Sequence, residues 1–231
     1  MVERPSLFRC DGMNKEKLFF VGNNKTGTTT IHRTFQKYGI SSIHNANWIS
    51  RSWDCDEEYF QRAEAFSDGI RVANLPWLDQ TYDAFFILNT RNVRDWVVSE
   101  WNHRRRRRNR DPNVYFGPEK ERLIQRIKYR NVHHREVLRY FSDRDNFMIL
   151  NVADSPNDIV AEHLSKVSGI GIDALVFGQP HKKPASEYVK EPAEAMEALR
   201  ELGIGPSDYD KVVLDIEGPS WLRQTSWRLD L

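Results

Sequence analysis

Cysteine is scarce in this chain: only Cys10 and Cys55 occur among 231 residues, far apart. The pair argues against a disulfide-stapled scaffold and has no metal-ligand spacing, so both are read as reduced thiols in a cytosolic setting. No apolar run approaches the roughly 20 residues of a bilayer span. Met1 to Lys17 has no hydrophobic signal core, so the expectation is a cytoplasmic protein without a membrane span. Excess charge is also missing: 34 Lys and Arg stand against 33 Asp and Glu, a net +1, with no strong bias toward nucleic acid or membrane. What is present is 39% apolar residues, 12% aromatics and seven Trp. That composition and length suit a folded, enzyme-like single domain over residues 1–231.

Strand and helix signals alternate. Short apolar runs lie at Leu18–Val21, Ile40–Ile43, Ile70–Ala73, Phe85–Leu88 and Phe147–Leu150. Helical patterns fall at Thr28–Tyr38, Val93–His103, Glu119–Phe141, Asp158–Val167 and Glu191–Leu202. In the long one, Leu123, Ile127, Val137, Leu138 and Phe141 run along one side, with Arg and His expected on the other. The alternation predicts an α/β fold: a mainly parallel central sheet with helices on both faces and a P-loop-like nucleotide-binding architecture. Ligands of such sheets bind beyond the carboxyl ends of the strands. Four polar sets are expected there: the glycine loop after Val21, His44, Asn74, and Asn89 to Arg91. Arg104 to Pro118 reads as a charged loop, and Ser155-Pro156 and Gly178 to Pro184 as turn-rich connections.

The most informative segment is Phe19-Phe20-Val21-Gly22-Asn23-Asn24-Lys25-Thr26-Gly27-Thr28-Thr29. It reads as strand, phosphate-cradling loop and helix start. Gly22 and Gly27 have the spacing of the nucleotide triphosphate pattern G-x-x-x-x-G-K-[ST], but Thr28 follows Gly27 and the lysine is the earlier Lys25. A second segment runs from Phe85 through Arg91 to Ser99. Asn92 is a good N-cap for the helix beginning at Val93, and Ser99 lies about two turns further on. A guanidinium at a strand end and a hydroxyl on the next helix can converge on one phosphate.

These segments resemble those of the sulfotransferases that use 3′-phosphoadenosine 5′-phosphosulfate (PAPS). Lys25-Thr26-Gly27-Thr28-Thr29 matches the family's K-[ST]-G-T-[ST] loop, and Arg91 and Ser99 have the spacing of its second motif. The resemblance covers about Leu18 to Trp101. It implies that Asn24, Lys25, Thr26, Gly27, Thr28 and Thr29 hold the 5′-phosphosulfate of the donor, that Arg91 and Ser99 hold its 3′-phosphate, and that no catalytic metal is needed. Lys25 is then expected on the bridging oxygen, where negative charge builds as the nucleotide departs. The acceptor would be a hydroxyl or amine of a small molecule or carbohydrate.

Departures from that pattern leave questions open. Many members have a histidine before the Leu-Pro that precedes the arginine motif, whereas this chain has Asn74-Leu75-Pro76, and an amide cannot accept a proton under ordinary conditions. His44 is the alternative general base; the competing reading is a loop cap. Asp68 and Asp79 are fallback carboxylates. Thr30 stands where the family often stacks an aromatic on adenine, leaving Trp48 and Trp53 as candidates. Lys182 and Lys183 are candidates for the 3′-phosphate by analogy with basic residues in relatives. The run Arg104 to Arg108 reads as a solvated helix end and loop, or as a holder of an anionic acceptor; no nucleic-acid motif accompanies it. His133-His134 lacks the companions of a metal site, so no metal is expected. Two other functions stay open: a nucleotide kinase or NTPase-like P-loop protein, and a noncatalytic nucleotide-binding protein.

Overall fold

A computed structural model describes residues 16–44, 57–110, 119–177 and 188–219. Cys10, Trp48, Trp53, Cys55, Lys182 and Lys183 lie outside the described residues. The chain divides into two compact units, one containing residues up to Asn89 and 144–180, the other residues 90–143 and from 181 onward.

The first unit is built on five parallel strands: β1 (Lys17–Phe20), β2 (Ser42–His44), β3 (Ala65–Ser67), β4 (Ala84–Thr90, whose last residue belongs to the second unit) and β5 (Phe147–Asn151). Their order is β2-β3-β1-β4-β5. β1 is central, with Phe19 opposite Phe66 on one side and Phe86 on the other. Because successive side chains in a strand point to opposite faces, this register sorts the core into two layers. Leu18, Phe20, Phe85 and Ile87 face α1 (Thr28–Lys37) and a helix following β5, which contribute Ile31, Phe35, Val160 and Leu164. Phe19, Phe66 and Phe86 stack on the other face, where Phe60 and Tyr82 close over them. Both faces are covered, which is why β1, β3 and β4 are buried along their whole length rather than at alternate residues.

The alternation rule thus finds the parallel α/β architecture, and it misplaces one strand. Ile70–Ala73 is not extended. Asp68 and Gly69 have φ of 70° and 114°, which break the chain direction. Val72–Asn74 then forms a 3-10 turn leading into a helix at Leu75–Thr81. Pro76 favours that helix start, since its fixed φ suits the first turn and its missing N–H has no partner to lose there. The strand beside β1 is instead Ala65–Ser67, three residues too short to show a period.

In chain order the helices so far are α1, α2 (Glu57–Phe60) and α3 (Leu75–Thr81). The second unit contributes α4 (Val93–Arg110) and α5 (Glu119–Tyr140), the first unit then adds α6 (Asn157–Ser168) and α7 (Ala174–Phe177), and the second unit ends with α8 (Ala193–Glu201). Val93, Trp96 and Val97 of α4, Leu123, Ile124 and Ile127 of α5, and Ala195, Ala198 and Leu199 of α8 share one core. Two expectations change here. Arg104 to Arg110 is helical, not loop; arginine is a good helix former and a helix C-terminus favours cations. Nor does α5 keep its Arg and His residues outward: Arg130, His133 and His134 are buried with Leu123, Ile127 and Val137.

Among the described residues no helix is long and apolar enough to cross a membrane.

Candidate functional site

In the order β2-β3-β1-β4-β5, the connection leaving β1 runs through α1 to β2 on one side, while that leaving β4 leads to β5 on the other. The crevice beyond the carboxyl ends of β1 and β4 is therefore a switch point, the usual ligand position in open α/β sheets. The glycine loop occupies it.

Asn89, near the end of β4, builds that loop. Its Oδ1 accepts the Gly22 N–H at 2.9 Å. Its Nδ2 donates to the buried Thr26 hydroxyl, which in turn donates to the Asn23 carbonyl. Thr26, expected on the donor, thus spends its hydroxyl folding the loop. Gly22 is obligatory: a Cβ there would lie 2.0 Å from the Asn89 carbonyl oxygen. Gly27, at φ 90°, has Val152 where a Cβ would go. The role of Asn89 was not legible in the sequence beyond its place at a strand end, because its partners lie over sixty residues away.

Gly27 occupies the N-cap of α1, and its carbonyl accepts from Thr30 and Ile31. Glycine brings no side-chain acceptor to the first-turn amides, so the positive end of the helix lacks the usual Ser, Thr, Asp or Asn cap. Lys25 adopts a left-handed conformation, φ 70°, uncommon outside glycine. Lys25, Asn23 and Asn24 are half-buried, Thr28 is buried and Thr29 is exposed.

His44 closes this group. It sits at the end of β2, with Nε2 3.1 Å from the Thr29 hydroxyl and Nδ1 3.2 Å from that of Ser67 at the end of β3. The His32 ring of α1 lies on the His44 ring, centroids 5.6 Å apart, and its Nδ1 meets the Ser42 hydroxyl at 3.1 Å. Burial lowers the His44 pKa, and the Lys25 ammonium and then Arg33 lower it further, although the Ser67 contact opposes them. The imidazole is therefore neutral at neutral pH. His44 is more than a bare loop cap: it links the end of the loop to the next strand within the electrostatic reach of Lys25.

The other base candidates fare differently. Asn74 is buried at the entrance to α3 rather than at a strand end, which Ser67 occupies instead. Asp79 accepts from Asn146 at 2.8 Å and pairs with Arg144 at 2.9 Å, next to the amino end of β5. The carboxyl ends of the strands carry the loop, so Asp79 is a structural carboxylate.

In the second unit, Asn92 caps α4 as its sequence position suggests. Its Oδ1 accepts from the Arg94 and Asp95 amides at 3.0 and 3.3 Å, and its Nδ2 reaches Asp210 at 2.9 Å. Arg91, just before the cap, and Ser99, on α4, are both half-buried. The Arg91 carbonyl accepts a hydrogen bond from Arg130 of α5 at 3.0 Å. Of the arginine run, Arg104 pairs with the buried Glu100 at 3.0 Å, and Glu100 also meets Arg126 of α5 at 3.2 Å. Arg105 lies over the Trp101 ring. Among the described residues no three His, Cys, Asp or Glu side chains gather as a metal site. Compared with known proteins, the chain matches no family model and no curated protein.

Proposed function

We propose that this protein is a sulfotransferase that moves the sulfuryl group of PAPS to a hydroxyl or amine of an acceptor, small molecule or carbohydrate. The observation that carries the reading is the association, at one switch point, of a K-T-G-T-T loop with left-handed Lys25, an α1 N-terminus capped by glycine, and neutral His44 on Thr29. An anionic phosphosulfate suits such a loop because the amides and the helix end favour negative charge. The absence of lysine after Gly27 argues against a nucleotide kinase or NTPase.

In this reading the acceptor oxygen or nitrogen bonds to sulfur while the bond from sulfur to the bridging phosphate oxygen breaks. His44 takes the acceptor proton, and a shift of its hydrogen bond from Thr29 to the acceptor frees Nε2 for that role. Lys25 meets the electron pair left on the bridging oxygen. Thr28 and Thr29 supply further donors to the 5′-phosphate. Arg91 and Ser99 are assigned the 3′-phosphate by the family resemblance alone.

Titration calorimetry with 3′-phosphoadenosine 5′-phosphate and with ATP tests the nucleotide, and transfer from sulfur-labelled PAPS across phenol, sugar, lipid and peptide acceptors tests the reaction. Selective binding of the bisphosphate with labelled product is the expected result. A preference for ATP would overturn the reading in favour of an NTPase, and tight bisphosphate binding with no product from any acceptor would leave a nucleotide-binding protein.

A further inference from the structure

Arg130 presents an energetic problem. Its side chain is 1% exposed, and removing a guanidinium from water costs several kcal/mol unless partners compensate. Burial lowers its pKa to about 10, so it remains charged at neutral pH. Yet its contacts are few. Nη2 donates to the Arg91 carbonyl at 3.0 Å, and the group lies 5.8 Å from the Trp96 ring centre. Among the described residues Nε and Nη1 have no hydrogen-bond partner, and no carboxylate lowers the cost. Its α5 neighbours have structural tasks: Asn131 bonds the Leu214 backbone through both ends of its amide, and His134 donates from Nδ1 to the Val212 carbonyl. A methionine of similar length would pack on Trp96 without the desolvation cost, and such exchanges are often neutral or stabilising. Stability alone does not call for the charge.

We infer that Arg130 is a positioning residue for an anion subsite: it fixes the backbone of Arg91 and sets a second, buried cation behind it. The ligand it serves is the 3′-phosphate of an adenosine bisphosphate, so the inference rests on the donor reading above. A buried charge acts through low-dielectric surroundings, where its field on an anion is stronger than that of an exposed group. Held by one carbonyl and a ring, the guanidinium needs no direct contact with the ligand to contribute.

The test measures the affinity of the full-length chain for 3′-phosphoadenosine 5′-phosphate and for adenosine 5′-monophosphate, which differ only in the 3′-phosphate. The wild type is expected to favour the bisphosphate, and Arg91→Ala to lose that preference. Arg130→Met is expected to lower bisphosphate affinity about tenfold with the monophosphate unchanged, the loss typical of one charge-assisted interaction. Arg130→Lys, keeping the charge, recovers part of it. An Arg130→Met protein with the wild-type ratio overturns the inference while the donor reading stands. A wild type that binds both nucleotides equally overturns the 3′-phosphate assignment itself. Should Arg130→Met not fold, the same ratio in Arg130→Gln, neutral but able to donate to the carbonyl, decides: a fall supports the inference and an unchanged value defeats it.

Discussion

The candidate site of the first unit and the helical core of the second handle polar groups in opposite ways. In the first, the candidate site is made of backbone amides, small hydroxyls, amide side chains and an imidazole, and its ammonium, Lys25, stays half-buried on the loop after β1. In the second, full charges go inside: Glu100 and Arg130 are 2% and 1% exposed within helices. The difference follows from the architecture. A parallel sheet satisfies its own backbone and leaves loops at its carboxyl edge free to present N–H groups, whereas packed helices have saturated backbones and obtain polarity only from side chains. A loop of amides grips an anion at close range. A buried arginine acts by holding its neighbours and through its field.

The sharpest way to break this contrast is to remove the one ammonium of the amide-built site. Lys25→Ala is expected to slow sulfuryl transfer by roughly 100- to 1000-fold, the cost of losing a preorganised donor at a developing charge. The unfolding midpoint should barely move, since left-handed Lys25 lies on a half-buried loop. Turnover within a few fold of wild type would take Lys25 out of the mechanism. The matching operation on the second unit is Glu100→Gln, which leaves Arg104 and Arg126 without their shared carboxylate. About 3 kcal/mol of stability should go, near the low end for breaking a buried ion pair, because both arginines reach partly into solvent. Urea unfolding followed by tryptophan fluorescence reads it, and an unchanged free energy would mean that the cluster adds nothing net.

Much of the first unit was legible because its signals are local. The run Leu18 to Val21, the glycine spacing and the Ile31, Phe35 face of α1 each declare themselves within a dozen residues, as does the Asn92 cap of α4. What was hidden depends on distant partners. β3 is only Ala-Phe-Ser, and its extended state comes from pairing on both sides with β1 and β2. Asn89, Ser67 and His32 acquire their roles from residues ten or more positions away. The helix-period reading put Arg130 and His134 outside because charge normally means solvent, and burial of unpaired charge breaks the rule on which the reading rests. The arginine run differs for a related reason: five like charges read as a solvated helix end passing into loop, but Glu100 sits one turn before Arg104 and anchors a helix that carries all of them.

A smaller effect probes the frame of the loop. Asn89→Ala removes the acceptor of the Gly22 amide and the donor to Thr26, leaving the Gly22 N–H unsatisfied and the Thr26 hydroxyl with its bond to the Asn23 carbonyl alone. The cost should be about 2 kcal/mol by urea unfolding, with a weaker affinity for the bisphosphate as the loop loosens. Loss of stability with unaltered affinity would show that the loop geometry is held by other means.

The smallest effect is proton-linked, and it sets one buried histidine against one at the site edge. His134 is held neutral, its pKa driven well below the ordinary value by burial, then by Arg130 and His133. The unfolded chain takes up that proton near pH 6.5. The native state does not, so stability is full above the unfolded value and declines as the pH falls through it, by up to about 1.4 kcal/mol per pH unit. His134→Gln, which can still donate to the Val212 carbonyl, should flatten that decline, and a curve identical to wild type would remove His134 as its source. For His44 the same direction of shift is read in rate. With His44 as the proposed base, acting in its neutral form, the acid limb of kcat/KM is expected below the ordinary histidine pKa and absent in His44→Ala. One residue type thus reports on the two units through different observables: protonation of the sealed His134 lowers stability, and protonation of His44 is expected to lower the rate as well.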